Sequence, residues 1–331
     1  MMSSPIEYDV VALGEILIDF TPAGKSDRGN ILFERNPGGA PANLLATISK
    51  LGRKSAFIGK VGDDLFGHFL ISVLTDAGID ASGVRLSTHA RTTLAFVQLD
   101  EKGDRSFSFY RNPGADTELA ENEIDLSIIS RSRIFHFGSL SLTDEPARSA
   151  TFAALEHARN DKKTISYDPN LRPLLWESLD DAKEKILSAI HYADILKISE
   201  EEMEFLTGES DLEKGTSLLM NTYATPLILV TLGAQGCFYR TGSFTGRSAA
   251  FTDLESVDTT GAGDSFLGGF IYGMISRDIF HPSKLSHDNL SEISRFACAV
   301  AGLCTTKRGA IPALPTLREI TDLLNNNRKG K

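Results

Sequence analysis

The chain has 331 residues, of which 41% are hydrophobic and 24% charged, as in ordinary globular proteins. Its net charge of −10 and pI near 5.3 argue against nucleic acid or an anionic membrane as a partner. Three cysteines without a Cys-x-x-Cys spacing predict buried thiols, not a zinc site or a disulfide framework. No export signal and no apolar run of roughly 18 residues is found, so we expect a cytoplasmic protein.

Apolar, β-branched runs alternate with helical patterns along most of the chain. Strands are predicted, in chain order, over residues 8–13, 15–20, 55–61, 134–138, 164–168, 195–198 and 227–232. Helices are predicted over residues 41–51, 65–77, 146–160, 180–191, 200–206, 263–276, 290–306 and 317–324. This alternation predicts an α/β fold with a mostly parallel sheet and crossover helices.

One region interrupts the alternation. Residues 92–99 and 105–110 alternate as strands and are joined by the polar, glycine-containing run 100–104, which predicts a hairpin. We expect this hairpin to form a small accessory sheet that acts as a lid. No repeat or composition break divides the chain, so we predict a single domain over residues 1–325. Lid strands from about 15–36 and 92–112 would be inserted in it, and residues 326–331 would form a frayed tail.

The run from Val257 to Phe266 is the most informative motif. Gly261 and Gly263 let backbone N–H groups converge where a helix begins, and such a helix N-terminus attracts anions. Asp264 lies within the first turn and could act as a base on a group approaching the anion. An anion site with an adjacent base suits phosphoryl transfer to an alcohol. The alternative is an ordinary loop with Asp264 as a helix-capping residue.

A second glycine-rich turn opens the helix predicted over residues 41–51. Gly38 and Gly39 permit close approach of the backbone to a ligand, and Asn43 can both donate and accept hydrogen bonds, as a polyol requires. Asp19, just before this turn, could accept two neighbouring sugar hydroxyls. The alternatives are a plain turn into a helix and a solvent-facing aspartate.

Further candidates follow predicted strands and should lie at the carboxyl edge of the sheet, where open α/β folds bind ligands. Arg111 and Arg172 would suit a phosphate or carboxylate, or form surface salt bridges. The carboxylates after Ser199 favour a helix dipole, and one could hold Mg²⁺ through water. Thr231 offers a hydroxyl before a Gly-containing turn. A complete P-loop and a strand-linked Gly-x-Gly-x-x-Gly are both missing.

With these residues assembled, the chain resembles a ribokinase-like sugar kinase of the PfkB family, from about Tyr8 to Leu317. The signatures are a block from Gly38-Gly39 to Gly67 and a second block from Asp258 to Asp264. Within the family it is most similar to fructokinases, through Gly14 to Phe20, Phe109 to Pro113, Ser166 to Arg172 and Lys197 to Glu202. The resemblance implies a three-layer α/β/α fold with a small β-sheet lid.

The resemblance also implies roles for individual residues. Asp264 would be the catalytic base, and the amides of Gly261, Ala262 and Gly263 would form the anion hole. The implied sugar ligands are Asp19, Gly38, Gly39 and Asn43, with Arg111 and Arg172 as further candidates. The implied nucleotide ligands are Ser199, which replaces the family's asparagine, Thr231, Gly233, Gly236 and Cys298. Glu202 would hold Mg²⁺ through water. A monovalent cation such as K⁺ would be bound, mostly through carbonyls, at Asp258, Thr260, Cys304, Lys307, Gly309 and Ala313.

The sequence therefore predicts an ATP-dependent kinase that phosphorylates the primary hydroxyl of D-fructose to give fructose 6-phosphate. Kinases of 2-keto-3-deoxygluconate, aminoimidazole riboside or ribose are the alternatives within the family. A catalytically silent sugar sensor is the alternative outside the enzymes. We also expect a homodimer formed through the lid sheet.

Overall fold

The computed structural model describes residues 5–99 and 105–329. Its strands are β1 Tyr8–Leu13, β2 Leu17–Lys25, β3 Ile31–Gly38, β4 Ser55–Gly62, β5 Ile79–Ser87, β6 Leu94–Leu99, β7 Arg105–Tyr110, β8 Ser132–Gly138, β9 Thr164–Asp168, β10 Ile195–Ser199, β11 Leu227–Thr231, β12 Cys237–Thr241 and β13 Thr245–Ser248. Its α-helices are α1 Ala40–Lys50, α2 Leu65–Asp76, α3 Leu126–Ser130, α4 Ala147–Asn160, α5 Leu179–Ile190, α6 Glu200–Thr207, α7 Leu212–Tyr223, α8 Ala262–Ile275, α9 His287–Cys304 and α10 Leu317–Lys329.

The larger sheet has the strand order β13-β12-β11-β10-β9-β8-β1-β4-β5. Its strands pair in parallel from β5 to β11, and β12 and β13 continue the sheet antiparallel. Strand order reverses at β1, whose neighbours are β4 and β8. Such a reversal leaves a crevice at the carboxyl ends of the strands, where α/β proteins bind ligands. The predicted parallel sheet is confirmed.

Helices cover both faces of this sheet. Along β1, Val10 and Ala12 join an apolar cluster with α1, α8 and α9, whereas Val11 and Leu13 join a cluster with α4, α5 and α7. Because successive side chains of a strand point to opposite faces, one buried apolar strand contributes to two cores. The predicted three-layer α/β/α arrangement is confirmed.

A smaller sheet with the order β3-β2-β6-β7 lies beside the main one. It combines β2 and β3, which leave the core after β1, with the antiparallel pair β6 and β7 predicted as a hairpin. Phe20 stacks on Phe96 within this sheet and contacts Phe66 of α2 edge to face, which attaches the sheet to the core. The predicted turn over residues 100–104 lies outside the described residues.

Several elements differ from the prediction. The strands β5, β12 and β13 and the helices α3 and α7 were not predicted. The predicted end of the last helix at residue 324 is wrong, because α10 continues to Lys329, within the predicted frayed tail. Residues 325–329 contain no glycine or proline that would end the helix. Among the described helices, none combines the length and apolar character that crossing a membrane requires.

Candidate active site

Helix α8 begins in the glycine-rich motif. Gly261 precedes it with φ of 76°, a left-handed conformation that glycine adopts without strain. The backbone N–H of Ala262 donates to the carbonyl of Thr259 at 3.2 Å. The N–H groups of Gly261 and Gly263 have no acceptor among the described residues. Of the three amides predicted for the anion hole, that of Ala262 therefore already serves the turn.

Asp264 lies in the first turn of α8 and is held from α1. Its Oδ2 accepts a hydrogen bond of 2.8 Å from Nδ2 of Asn43, so the two glycine-rich motifs meet in space. Burial raises the pKa of Asp264, while Asn43, Lys197 and Arg172 act in the opposite direction. The carboxylate is thus a stronger base than that of an exposed aspartate. The hydrogen bond from Asn43 orients it.

The turn before α1 brings Asp19 against Gly38. A Cβ at Gly38 would overlap Oδ2 of Asp19, so any larger residue there would displace this carboxylate. Gly39 has φ of 117°, and a Cβ there would lie 2.5 Å from the carbonyl oxygen of Glu15. Burial raises the pKa of Asp19 to about 6, with Arg172 opposing and Asp264 adding to the rise. Asp19, Asp264 and Arg172 are therefore close enough to interact electrostatically.

Glu15 belongs to the same region, although it was not predicted as a site residue. Its Oε1 accepts a hydrogen bond of 2.9 Å from the backbone N–H of Ala40, the first residue of α1. Glu15 is 3% exposed, and its Oε2 has no hydrogen-bond partner in the part of the chain that the structure describes. Burial raises its pKa to about 7. The sequence feature that could have identified Glu15 is a carboxylate placed directly after a buried strand.

Arg111 is not free to face a ligand. Its guanidinium is 4% exposed and pairs with Asp116 at 2.7 Å. It also donates to Oγ1 of Thr143 and to the carbonyl of Leu140, both at 2.9 Å. Its donors are therefore used to fix the end of β7 to the core. By contrast, Arg172 is exposed, and it lines a cleft together with Lys197.

A buried ion pair was also missed by the prediction. Lys197 of β10 donates from Nζ to both carboxylate oxygens of Asp168 of β9, at 3.1 and 2.9 Å. Burial opposes the charge of Lys197, but Asp168 and Glu202 together raise its pKa. A lysine within the apolar strand Ile195–Ser199 was the available signal, because a charge in a buried strand requires a partner.

A cleft of about 310 Å³ extends beside this pair. Its lining residues are Asn170, Leu171, Arg172, Pro173, Lys197, Ser199, Glu201 and Glu202. Ser199 and Glu202 form a capping box at the start of α6, in which Oγ of Ser199 accepts from the N–H of Glu202 at 3.1 Å. The carboxylate of Glu202 accepts from the N–H groups of Ser199 and Leu171, each at 2.7 Å.

The predicted nucleotide residues follow neighbouring strands. Ser199 and Thr231 stand opposite each other at the ends of β10 and β11. Gly233 has φ of 53° and open space around it, whereas a Cβ at Gly236 would overlap the carbonyl of Ser248. Gly236 thus forms the tight turn into β12. Cys298 of α9 is buried, with its Sγ 3.8 Å from Sγ of Cys237.

Four of the residues predicted to bind a monovalent cation lie close together, namely Asp258, Thr260, Cys304 and Gly309. Asp258 accepts from the N–H and Oγ1 of Thr260 at 2.9 and 2.7 Å, and from the N–H of Gly309 at 2.9 Å. Sγ of Cys304 lies 4.0 Å from the carbonyl oxygens of Thr260 and Ala310. The side chain of Lys307 pairs with Glu319 at 3.1 Å, and Ala313 donates its N–H to Ala310.

The start of α8 places the carboxylate of Asp264 beside backbone N–H groups, an arrangement suited to transfer of a phosphoryl group to an alcohol. The fold and the site therefore define a kinase that acts on a hydroxyl group. Residues 8–317 match the pfkB family carbohydrate kinases. The chain belongs to this family.

Known relatives agree with this assignment. The chain is 47% identical to fructokinase-2 of Zea mays over 319 residues, covering 95% of this chain and 93% of the relative. It superposes on fructokinase with bound ATP from Xylella fastidiosa with a TM-score of 0.89 at 30% identity, covering 96% and 99% of the two chains. For a double mutant of Vibrio cholerae O395 fructokinase in fructose-, ADP- and potassium-bound form, the TM-score is 0.86 at 33% identity, with 97% and 100% covered.

Proposed function

We propose that the protein transfers the γ-phosphoryl group of ATP to the primary hydroxyl of D-fructose, giving fructose 6-phosphate. The 2.8 Å hydrogen bond between Asn43 and Asp264 carries this proposal, because it joins the sugar-binding turn to the start of the anion-binding helix. The full-length likeness to fructokinases from several organisms supports fructose as the acceptor.

The reaction follows from the arrangement of side chains. Asp19, Gly38, Gly39 and Asn43 hold the sugar so that its primary hydroxyl faces Asp264. Asp264 accepts the hydroxyl proton while the oxygen attacks the γ-phosphorus and the bond to ADP breaks. The N–H groups of Gly261 and Gly263, which have no acceptor among the described residues, stabilise the charge on the phosphoryl oxygens. Alignment and charge stabilisation provide most of the rate enhancement.

The residues around Glu202 fit a Mg²⁺ ion held through water. Within the described residues, no group of three His, Cys, Asp or Glu side chains could hold a metal by itself. Each carboxylate oxygen of Glu202 uses one lone pair for a backbone N–H and keeps another for a metal-bound water. Mg²⁺ retains much of its hydration beside nucleotide phosphates, where it neutralises their charge. Glu202 would orient that hydrated ion.

The loops behind α8 are suited to K⁺. The carbonyl oxygens of Thr260 and Ala310 both lie 4.0 Å from Sγ of Cys304, and carbonyl oxygens are the hard donors that such a cation prefers. Because the side chain of Asp258 is bonded to Thr260 and Gly309, a cation there would stiffen the loop that precedes the anion hole. Lys307, Gly309 and Ala313 would contribute carbonyl groups.

Comparing acceptors tests the proposal. We would measure ADP release with fructose, ribose, aminoimidazole riboside and 2-keto-3-deoxygluconate, and compare kcat/KM. Fructose is expected to exceed the others by about tenfold or more, because unpaired polar groups in the site penalise a poorly matched polyol. A higher kcat/KM for another acceptor would reassign the substrate. ADP release with none of them would favour the sugar-sensing alternative.

We also infer the domain organisation, the oligomeric state and the location of the protein. We expect one kinase domain over residues 1–325, with the small sheet closing over the sugar to exclude water. We expect a homodimer, because Ile31, Leu32 and Phe33 on the edge strand β3 and Tyr110 on β7 are exposed apolar side chains on this sheet. We also expect the protein to act in the cytoplasm on small molecules.

A further inference from the structure

Lys197 is a buried cation at a position where its side chain could reach the phosphoryl group. In β10 its neighbours Leu196 and Ile198 are fully buried, and the side chain of Lys197 is 6% exposed. Removing such a charge from water costs several kcal/mol unless a partner is present. Asp168, whose side chain is 2% exposed, is that partner. An apolar residue would occupy this strand position with a smaller desolvation penalty. A charge at this position is therefore expected to have a function.

The ammonium group lies directly beside the anion hole. A Cβ built on Gly263 would be 2.9 Å from Nζ of Lys197 and 3.6 Å from its Cε. Because Gly263 has no side chain, the ammonium group of Lys197 lies directly against the backbone at this position. The N–H groups of this backbone are those we assign to the phosphoryl group. Lys197 also interacts electrostatically with Asp264 and lines the cleft next to Ser199 and Glu202.

Lys197 retains a donor for a ligand. An ammonium group has three N–H bonds, and the hydrogen bonds of Nζ to described residues go to the two oxygens of Asp168. Two contacts to one carboxylate hold the nitrogen in place and leave one N–H unassigned. A positioned cation of this kind stabilises charge that develops on phosphoryl oxygens during transfer.

We propose that Lys197 is a catalytic residue that donates a hydrogen bond to the phosphoryl group in transit, and that Asp168 is its positioning residue. The proposal rests on the kinase function above. The bond between the sugar oxygen and phosphorus forms as the bond to the ADP oxygen breaks, and the hydroxyl proton passes to Asp264. Lys197 keeps its own protons and contributes charge throughout.

A double substitution separates this role from a purely structural one. Lys197→Met alone would leave Asp168 charged and buried, which destabilises the fold. Combining Lys197→Met with Asp168→Asn removes both charges, so no unpaired charge is left buried. We expect the double variant to melt near the wild-type temperature, to bind ADP with a Kd within about threefold of wild type, and to lose about 10²-fold or more in kcat.

Two further variants complete the test. Lys197→Gln keeps a donor for Asp168 without the charge, and it should show the same loss of kcat with ADP binding retained. Lys185→Met combined with Asp181→Asn removes a comparable Lys–Asp pair on α5 and should leave kcat unchanged. Near-wild-type kcat in the double variant, or in Lys197→Gln if the double variant does not fold, would overturn the proposal. Failure of the wild-type protein with every sugar would instead refute the proposed function.

Discussion

At Asp264, opposing influences set the protonation state. Burial favours the neutral acid, whereas the hydrogen bond from Asn43 and the charges of Lys197 and Arg172 favour the carboxylate. The net effect raises the pKa, so the carboxylate accepts a proton more readily than an exposed one would. These three partners offset part of the rise that burial causes in the pKa of Asp264. The side chains around Asp264 thus adjust its strength as a base.

Removing the base should abolish turnover without preventing binding. In Asp264→Asn, kcat for fructose is expected to fall by about 10²-fold or more, because the amide cannot accept the hydroxyl proton. ADP and fructose binding, measured by calorimetry, should stay close to wild type. Asp322→Asn on the exposed face of α10 is the matched control and should be fully active. Wild-type turnover in Asp264→Asn would contradict the assigned role.

The partner of this base gives a prediction about pH. The hydrogen bond from Asn43 stabilises the charged form of Asp264 and so lowers its pKa. Asn43→Ala removes that bond, so the pKa of Asp264 rises further and the base becomes protonated at higher pH. The acidic limb of the kcat/KM profile should therefore move to higher pH. An unchanged limb would mean that Asp264 is not the group whose ionisation limits the rate.

At the level of elements, the site depends on how closely α1 and α8 approach each other. Thr47 of α1 packs against Gly268 of α8, where a Cβ would lie 2.7 Å from Cβ of Thr47. One helical turn earlier, Asn43 and Asp264 lie close enough to form their hydrogen bond. Small residues in a helix permit such short interhelical distances. The glycine therefore acts on the active site through packing.

A glycine pair within α8 tests this coupling. Gly268→Ala should push α1 away, destabilise the fold by about 1–3 kcal/mol and lower kcat, because Asn43 no longer reaches Asp264. Gly273→Ala is the matched control: a Cβ there would be 2.9 Å from Cγ2 of Ile293 of α9, on another face of the helix. Gly273→Ala should lower the free energy of unfolding by a similar amount, as measured by chemical denaturation. Its kcat should change little. Equal losses of kcat in both variants would refute the coupling.

At the level of the whole molecule, a small sheet is attached to one side of a buried core. The main sheet lies between two apolar clusters, and the small sheet packs on one of them through Ile18, Phe20 and Leu94. Its edge strand β3 presents Ile31 with 60% of its surface exposed. An exposed apolar edge strand tends to pair with another chain. A second copy of the sheet is the partner we expect.

Charge on this edge should prevent the association. Ile31→Lys is expected to convert a dimer to a monomer in light-scattering measurements, because a buried lysine without a partner disfavours the interface. Leu218→Lys, at a 47% exposed leucine of α7, controls for the added charge and should not change the mass. A wild-type mass that already equals one chain would refute the dimer.

Local patterns in the sequence were sufficient to predict the fold class and the two glycine-rich turns, and to select Asp264 as a candidate. These features depend on periodicity, on helix starts and on the short spacing within a motif, all of which are local. The parallel strands with crossover helices were predictable for the same reason. The short strands β12 and β13 were not, because weakly apolar segments next to glycine-containing turns have little periodic signal of their own.

The tertiary structure decided which candidates share the site and which are engaged elsewhere. It pairs Arg111 with Asp116 away from solvent, uses the amide of Ala262 in a turn, and brings Lys197 beside Gly263. These outcomes depend on contacts between residues far apart in the chain, and on whether a charge is buried beside an opposite one. Sequence spacing identifies the elements that carry the chemistry, but the distances between charges exist only after the elements have packed.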